Sequence, residues 1–309
     1  MRLPALQPPA TQRPARWPTH RVIHPGAHGK AVPAQLRSPE TAFRVWAMVL
    51  SALWLLALWT GPALLDALGF VLNPHGHSHL HAHGHPFVDA RTLLGLPNAL
   101  DVVSNAPLSL AGLVGLWVIR GRVLPGATQA ALRVFFAGLL LTGFGSAWYH
   151  WAPDAAGLVC DRLGMAVTFA GALALAVAER VEQGPARATL VVAFAVAVCS
   201  SVLPLTHANV LPWAVVQFGS VVLIAWAAMQ QPASGAIGVR IGALLAWYAL
   251  AKALEMGDES VFHATGEWVS GHSLKHIAAA LAAVPVITRV GRQPFAGECP
   301  LSAQTTTTR

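Results

Sequence analysis

The stretch Ala188–Val239, ATLVVAFAVAVCSSVLPLTHANVLPWAVVQFGSVVLIAWAAMQQPASGAIGV, contains no Asp, Glu, Lys or Arg. A helix needs about 20 mainly apolar residues to cross the hydrocarbon core of a bilayer. This stretch is too long for one crossing, and Pro204, His207, Asn209 and Pro212 break it near its middle. It reads as two membrane-spanning helices, at 188–204 and 209–229. Working outward, the same pattern recurs at 45–68, 98–119, 131–152, 158–179, 237–257 and 271–290. Eight spans are therefore expected.

Composition agrees. The chain has 309 residues, of which 55% are apolar and only 11% charged. Its mean hydropathy is +0.54. Soluble domains carry about 25% charged residues, so this chain could not cover a globular surface with polar groups. The expected fold class is an all-α membrane protein: a seven-transmembrane-helix core over 98–290, preceded by one extra N-terminal helix at 45–68. Residues 1–44 are Pro/Arg-rich without the apolar region of a signal peptide, and read as a disordered basic cytoplasmic tail. Residues 69–97 read as a His-rich extracytoplasmic linker, and 291–309 as a second cytoplasmic tail.

The formal charge of +7 does not mark a nucleic-acid-binding protein, because the basic residues form no patch. They sit at the ends of apolar runs. Arg2, Arg13, Arg16, Arg21, Lys30, Arg37 and Arg44 precede the first span, and alternate loops hold Arg120, Arg122, Arg133, Arg180, Arg187, Arg240, Arg289, Arg292 and Arg309. Asp89, Asp154, Asp258, Glu259 and Glu267 fall on the other side. This asymmetry places both termini in the cytoplasm. Cys160, Cys199 and Cys299 are too few and too widely spaced for a disulfide framework. Cys160 and Cys199 read as small hydrophobic packing residues.

Polar groups within spans are costly and ask for a reason. Three clusters stand out: Gly145-Ser146-Ala147-Trp148-Tyr149-His150, Asp161-Arg162, and His272-Ser273-Leu274-Lys275-His276. Ser146 and His150 are four residues apart, as are His272 and His276, so each pair shares a helical face. Neutral imidazole suits zinc, and three His ligands leave the fourth position open for water. The span count brings His150, Asp161, His272 and His276 to one extracytoplasmic face, a condition that the spacing alone did not impose. A lone interfacial His usually snorkels or hydrogen-bonds; three at one depth, two of them at i,i+4, favour a metal. Asp161 could instead cap a helix, and Ser146 could pack in a Gly-rich helix end.

At these residues the chain resembles the alkaline ceramidase family of the CREST superfamily, seven-span membrane hydrolases related to the adiponectin/progestin receptors and to GPI-lipid remodelling enzymes. The resemblance covers roughly 89–290 and includes Asp101-Val102-Val103-Ser104-Asn105, similar to a polar Ser-Asn element of ceramidases. It implies His150, His272 and His276 as zinc ligands, Asp161 as proton acceptor for the attacking water, and Ser146 as support for the oxyanion or the water. Eukaryotic members carry an acidic calcium-binding segment before the core; only Asp89, Asn98 and Asp101 correspond to it here, a sparse set for calcium.

The function that follows is an intramembrane zinc-dependent hydrolase cleaving the amide bond of a ceramide-like N-acyl lipid. The partner expected is a membrane lipid substrate; no nucleic acid and no obligate protein partner is implied. Two alternatives stand beside it: a lipid esterase or phospholipase-like hydrolase with the same site, and a zinc-binding receptor-like or metal-transporting protein. Transport is disfavoured, since a pathway needs polar groups at mid-membrane depth. His75, His77, His79, His81, His83 and His85 form an accessory metal tract or a flexible loop with adventitious affinity. Lys252 and Glu255 read as a helical ion pair, with contact to a substrate headgroup as the alternative, and Lys275 as a snorkelling side chain.

Overall fold

Ser38 starts the first helix, its hydroxyl accepting from Thr41 N at 3.2 Å with Pro39 in the first turn and Glu40 beside it. That is a standard N-terminal signal: a side-chain cap, a residue with preset φ, and an acid at the positive end of the helix dipole. The helix α1 (Pro39–Ala67) therefore begins before the expected boundary at 45, and 39–44 are helical. The computed structural model describes residues 38–69, 87–207 and 209–296. The expectations for 1–37 and 297–309, the His75 to His85 tract and Cys299 lie outside the described residues.

There follow α2 (Ala99–Val103), α3 (Ala106–Val118), α4 (Gly126–Trp151), α5 (Ala155–Arg180), α6 (Gln183–His207), α7 (Leu211–Ala228), α8 (Ile241–Met256), α9 (Asp258–Ala264), α10 (Gly271–Leu281) and α11 (Val284–Gly291). The described residues contain helices and isolated bridges but no strand. The protein is an all-α membrane protein. Seven helical stretches are long and apolar enough to cross a membrane, counting α2 with α3 and α10 with α11 as one each. Each of the eight apolar runs has its helix, but α8, expected over 237–257, has 16 residues. That is about 24 Å at 1.5 Å per residue, short of the roughly 30 Å hydrocarbon core. Large apolar side chains face outward, Trp59 at 88% exposure among them. A surface of that kind matches hydrocarbon rather than water.

α5 is the central element. Every residue from Ala170 to Glu179 is buried, which a helix achieves when it is apolar all round and enclosed by neighbours. Its one buried acid, Glu179, is satisfied by three backbone N–H groups, those of Ile237, Gly238 and Val239, each at 2.8 Å. It thereby ties α5 to the loop entering α8. Cys160 and Cys199 are free and exposed, so they face outward instead of packing in the interior as expected.

Glycines set the α4–α5 interface. Gly138 and Gly145 on α4, and Gly157, Gly164 and Gly171 on α5, recur every seventh residue. A Cβ at Gly145 would collide with the Cys160 carbonyl, one at Gly164 with the Thr142 backbone, and one at Gly171 with the Phe135 backbone. Without a hydrophobic force between helices in lipid, such small residues let backbones approach closely and gain dispersion contacts. The antiparallel register is thereby constrained at several points along the interface.

The N-terminal helix is built in, not merely appended. Pro62 lies inside α1 and has no N–H, so the Leu58 carbonyl four residues earlier loses its helical partner. Asn209, fully buried two residues before α7, donates Nδ2 to Ala57 O at 3.0 Å and Leu58 O at 3.3 Å. Gly61 makes room for it, since a Cβ there would collide with the Asn209 amide. Trp54 Nε1 also donates to Ser200 Oγ on α6 at 2.8 Å. At the other end of the chain, residues expected to begin a free tail are docked: Val123 N donates to Pro294 O at 2.9 Å and Ala296 N to Gly121 O at 2.7 Å.

Candidate metal centre

His150 and Ser146 lie on the last two turns of α4, both buried. Three residues separate α4 from α5, the last of them Asp154, the N-cap of α5, accepting from Gly157 N at 2.6 Å. The close approach at Gly145 brings Asp161, on the second turn of α5, to the same cavity wall as Ser146. The adjacent Arg162 is largely buried as well.

α10 arrives from the opposite side. Ser270 caps it, accepting from Ser273 N at 2.9 Å, and Gly271 lets it press against the Leu254 carbonyl of α8. Two carboxylates hold its first turn. Asp101 Oδ1 accepts from Ser270 Oγ at 3.2 Å and Ser273 Oγ at 2.6 Å, while Asp258 Oδ1 accepts from His272 N at 2.8 Å. Acids are favourable at this end of a helix dipole, and here they also fix where His272 and His276 stand.

His150, His272 and His276 converge. One nitrogen from each can be chosen so that all three lie within 4.8 Å of one another. His150 Nε2 and His272 Nε2 are 3.2 Å apart, and the rings of His272 and His276 have centroids 5.1 Å apart. Two imidazoles bound tetrahedrally to one zinc at about 2.0–2.1 Å hold their nitrogens roughly 3.3 Å apart. The His150–His272 spacing fits that demand. His276 Nδ1 lies 2.8 Å from Ser104 Oγ, leaving Nε2 for the cluster, the support that metal-ligating histidines usually have. Ser104 can reach there because the first core span is broken between α2 and α3, with Pro107 opening α3.

Phe87 closes the site from outside the bundle. It is 1% exposed, with ring centroids 4.4 Å from His150, 5.8 Å from His272 and 5.6 Å from Tyr149. Sequence reasoning missed it, because 69–97 read as linker. It missed Asp258 too, which counted there only as an acidic charge. The Ser270-x-x-Ser273 spacing, a capping pattern, was the available signal for the α10 anchor.

The three calcium candidates have other partners. Asp89 accepts from Arg91 Nε and Nη2, both at 2.7 Å, and from Arg91 N at 3.1 Å; these side-chain bonds push the Arg91 guanidinium above its ordinary pKa. Asn98 Nδ2 donates to His150 O at 2.7 Å. Asp101 is the α10 anchor. Two of the three thus position histidine-bearing segments.

Beside the triad lies a cavity of about 300 Å³, lined at this end by Ser146, Asp161, His150, His272 and His276. It continues along α4 to Phe135 and is otherwise largely apolar. Fifteen residues of helix span about 22 Å. Lys275 does not snorkel outward. It donates to Glu255 Oε1 at 2.8 Å across the α8–α10 interface, and Glu255 also takes the expected bond from Lys252. Comparison with protein-family models, with curated proteins and with solved structures finds no match.

Proposed function

We propose that this chain is an intramembrane zinc-dependent hydrolase that cleaves the amide bond of an N-acyl lipid, as its resemblance to the alkaline ceramidases implies. The observation that carries the reading is the convergence of His150, His272 and His276 beside a long apolar cavity. An acyl chain would lie in the apolar part with its carbonyl at the triad. A zinc ion held by the three imidazoles would supply a Lewis acid and an acidified water at neutral pH. Asp161 accepts the proton of the attacking water and returns it to the leaving amine, a role that needs a carboxylate within hydrogen-bond reach. The Ser146 hydroxyl, on the same cavity wall as Asp161, would support the water or the developing oxyanion. The triad end is assigned to the extracytoplasmic face from the distribution of Lys and Arg.

The test is release of fatty acid from a panel of N-acyl lipid amides with neutral and charged amine portions, N-acyl sphingoid lipids included, and, in parallel, from glycerolipid esters, by purified zinc-loaded protein. Amide turnover is expected, and Asp161→Asn should lower it about 100- to 10,000-fold while zinc content stays at one per chain. Turnover of esters alone moves the protein to the lipid-esterase reading. No turnover of either class by zinc-loaded protein leaves the three histidines as a structural site and removes the hydrolase reading.

A further inference from the structure

Charge inside the cavity is unequal. Among its lining residues Arg162, Lys252 and Lys275 are cationic, whereas Asp161 and Glu255 are the carboxylates. Among the lining residues alone one positive charge is therefore in surplus before any metal is added, with Asp101 behind the lining within electrostatic reach of Lys275. The imbalance sits at the α8–α10 wall. Glu255 is shared, Oε1 with Lys275 and Oε2 with Lys252, so two ammonium groups divide one carboxylate. Each ammonium has three N–H donors, and Glu255 occupies one from each. Lys275 directly precedes His276 and is only 19% exposed, so this wall stands beside the triad, away from the apolar far end. Lys252 and Glu255 are half-buried, and two cations sharing one carboxylate at a partly enclosed wall favour the arrival of a further counter-charge.

We infer that the cavity takes an anionic acyl lipid, whose carboxylate is held between Lys252 and Lys275 while its acyl chain lies along the apolar cavity. Resting on the hydrolase reading, this names the substrate class: an N-acyl amino acid, with the carboxylate on the leaving-amine side of the scissile bond, rather than a neutral N-acyl amino alcohol. The other lipid source of the same carboxylate chemistry is the fatty acid released by hydrolysis. Both would bind the lysines; only the first makes the lysines determinants of substrate choice.

The experiment compares kcat/KM for N-palmitoylglycine and for its neutral counterpart N-palmitoylethanolamine, using the zinc-loaded full chain in nanodiscs. Binding of N-palmitoylglycine and of palmitate is measured separately by displacement of a fluorescent fatty acid. The glycine-to-ethanolamine ratio should exceed unity and fall about 10- to 100-fold in Lys252→Gln and in Lys275→Gln, the range for losing a charged hydrogen bond. Lys275→Arg should restore part of it, and zinc content, read in every variant, reports an intact site. A ratio at or below unity, or one that both variants leave unchanged, overturns the inference while hydrolysis of the neutral amide keeps the hydrolase reading. Lysine-dependent binding of palmitate with an unchanged substrate ratio also overturns it, since the site then serves the product. Lysine-dependent binding of N-palmitoylglycine without cleavage of either amide supports the anion site and overturns the hydrolase reading instead.

Discussion

The ring of Phe87 stands 4.4 Å from the imidazole of His150, centroid to centroid, and forms a lid of carbon over the histidine cluster. It belongs to no helix, yet it packs with Tyr149 and Leu158 in a small apolar cluster of its own. Water reaching His150 from that side must displace it. Phe87→Ala should keep about one zinc per chain but speed its loss to a chelator at least 10-fold, because all three ligands remain while their cover is gone. The readout is zinc release with time in excess chelator. Release at the wild-type rate would show that Phe87 does not guard the ion.

Ser104 supports the site from beneath. Its Oγ is 2.8 Å from His276 Nδ1, and loss of such an outer partner typically weakens metal affinity 10- to 100-fold. Ser104→Ala should do so with the fold retained. His276→Ala should lose zinc altogether, since two imidazoles rarely hold it tightly. Deleting 75–85 should leave one zinc per chain, because the three core ligands do not draw on that tract. Metal content after dialysis against graded chelator checks all three, and zinc that follows the tract instead of His276 would move the centre elsewhere.

The α4–α5 register should be intolerant of bulk. A Cβ at Gly164 meets the Thr142 backbone, and overpacking a tight interface costs about 1–3 kcal/mol or more. Gly164→Leu should lower the melting temperature and reduce zinc content together, because Ser146, His150 and Asp161 are placed by that register. Gly242, on α8, has open space around its Cβ position. Gly242→Ala should leave both quantities near wild type. Thermal unfolding in detergent with parallel metal analysis separates the two, and equal effects at both positions would argue against the glycine seam.

Orientation is testable without reference to activity. Single cysteines in 258–270 and near 121–125, in a background lacking the native three, should react with an impermeant thiol reagent from opposite sides. The 258–270 segment is expected outside, following the distribution of Lys and Arg. Labelling of 258–270 from the cytoplasmic side alone would invert the scheme and place the triad at the inner face.

The spans were legible because lipid imposes a one-dimensional rule. Backbone polar groups must be satisfied within the segment, so a run of apolar residues without charge has one common outcome, a helix. That is why the run from Ala188 to Val239 divides into two helices near its middle, although α6 continues through Pro204 to His207 instead of ending at 204, and why His150, His272 and His276 could be grouped by spacing and span count. Helix ends were less legible where a cap outweighed hydropathy, as at Ser38. The role of Phe87, the two carboxylates anchoring α10, the Asn209 bond that repairs the Pro62 break, and the sharing of Glu255 by two lysines were not legible. Each joins residues far apart in the chain, and which distant pairs meet depends on the register of helices against one another. Hydropathy is nearly the same for neighbouring registers. Collisions between a glycine on one helix and backbone on the next are not, and those exist only once the helices are packed.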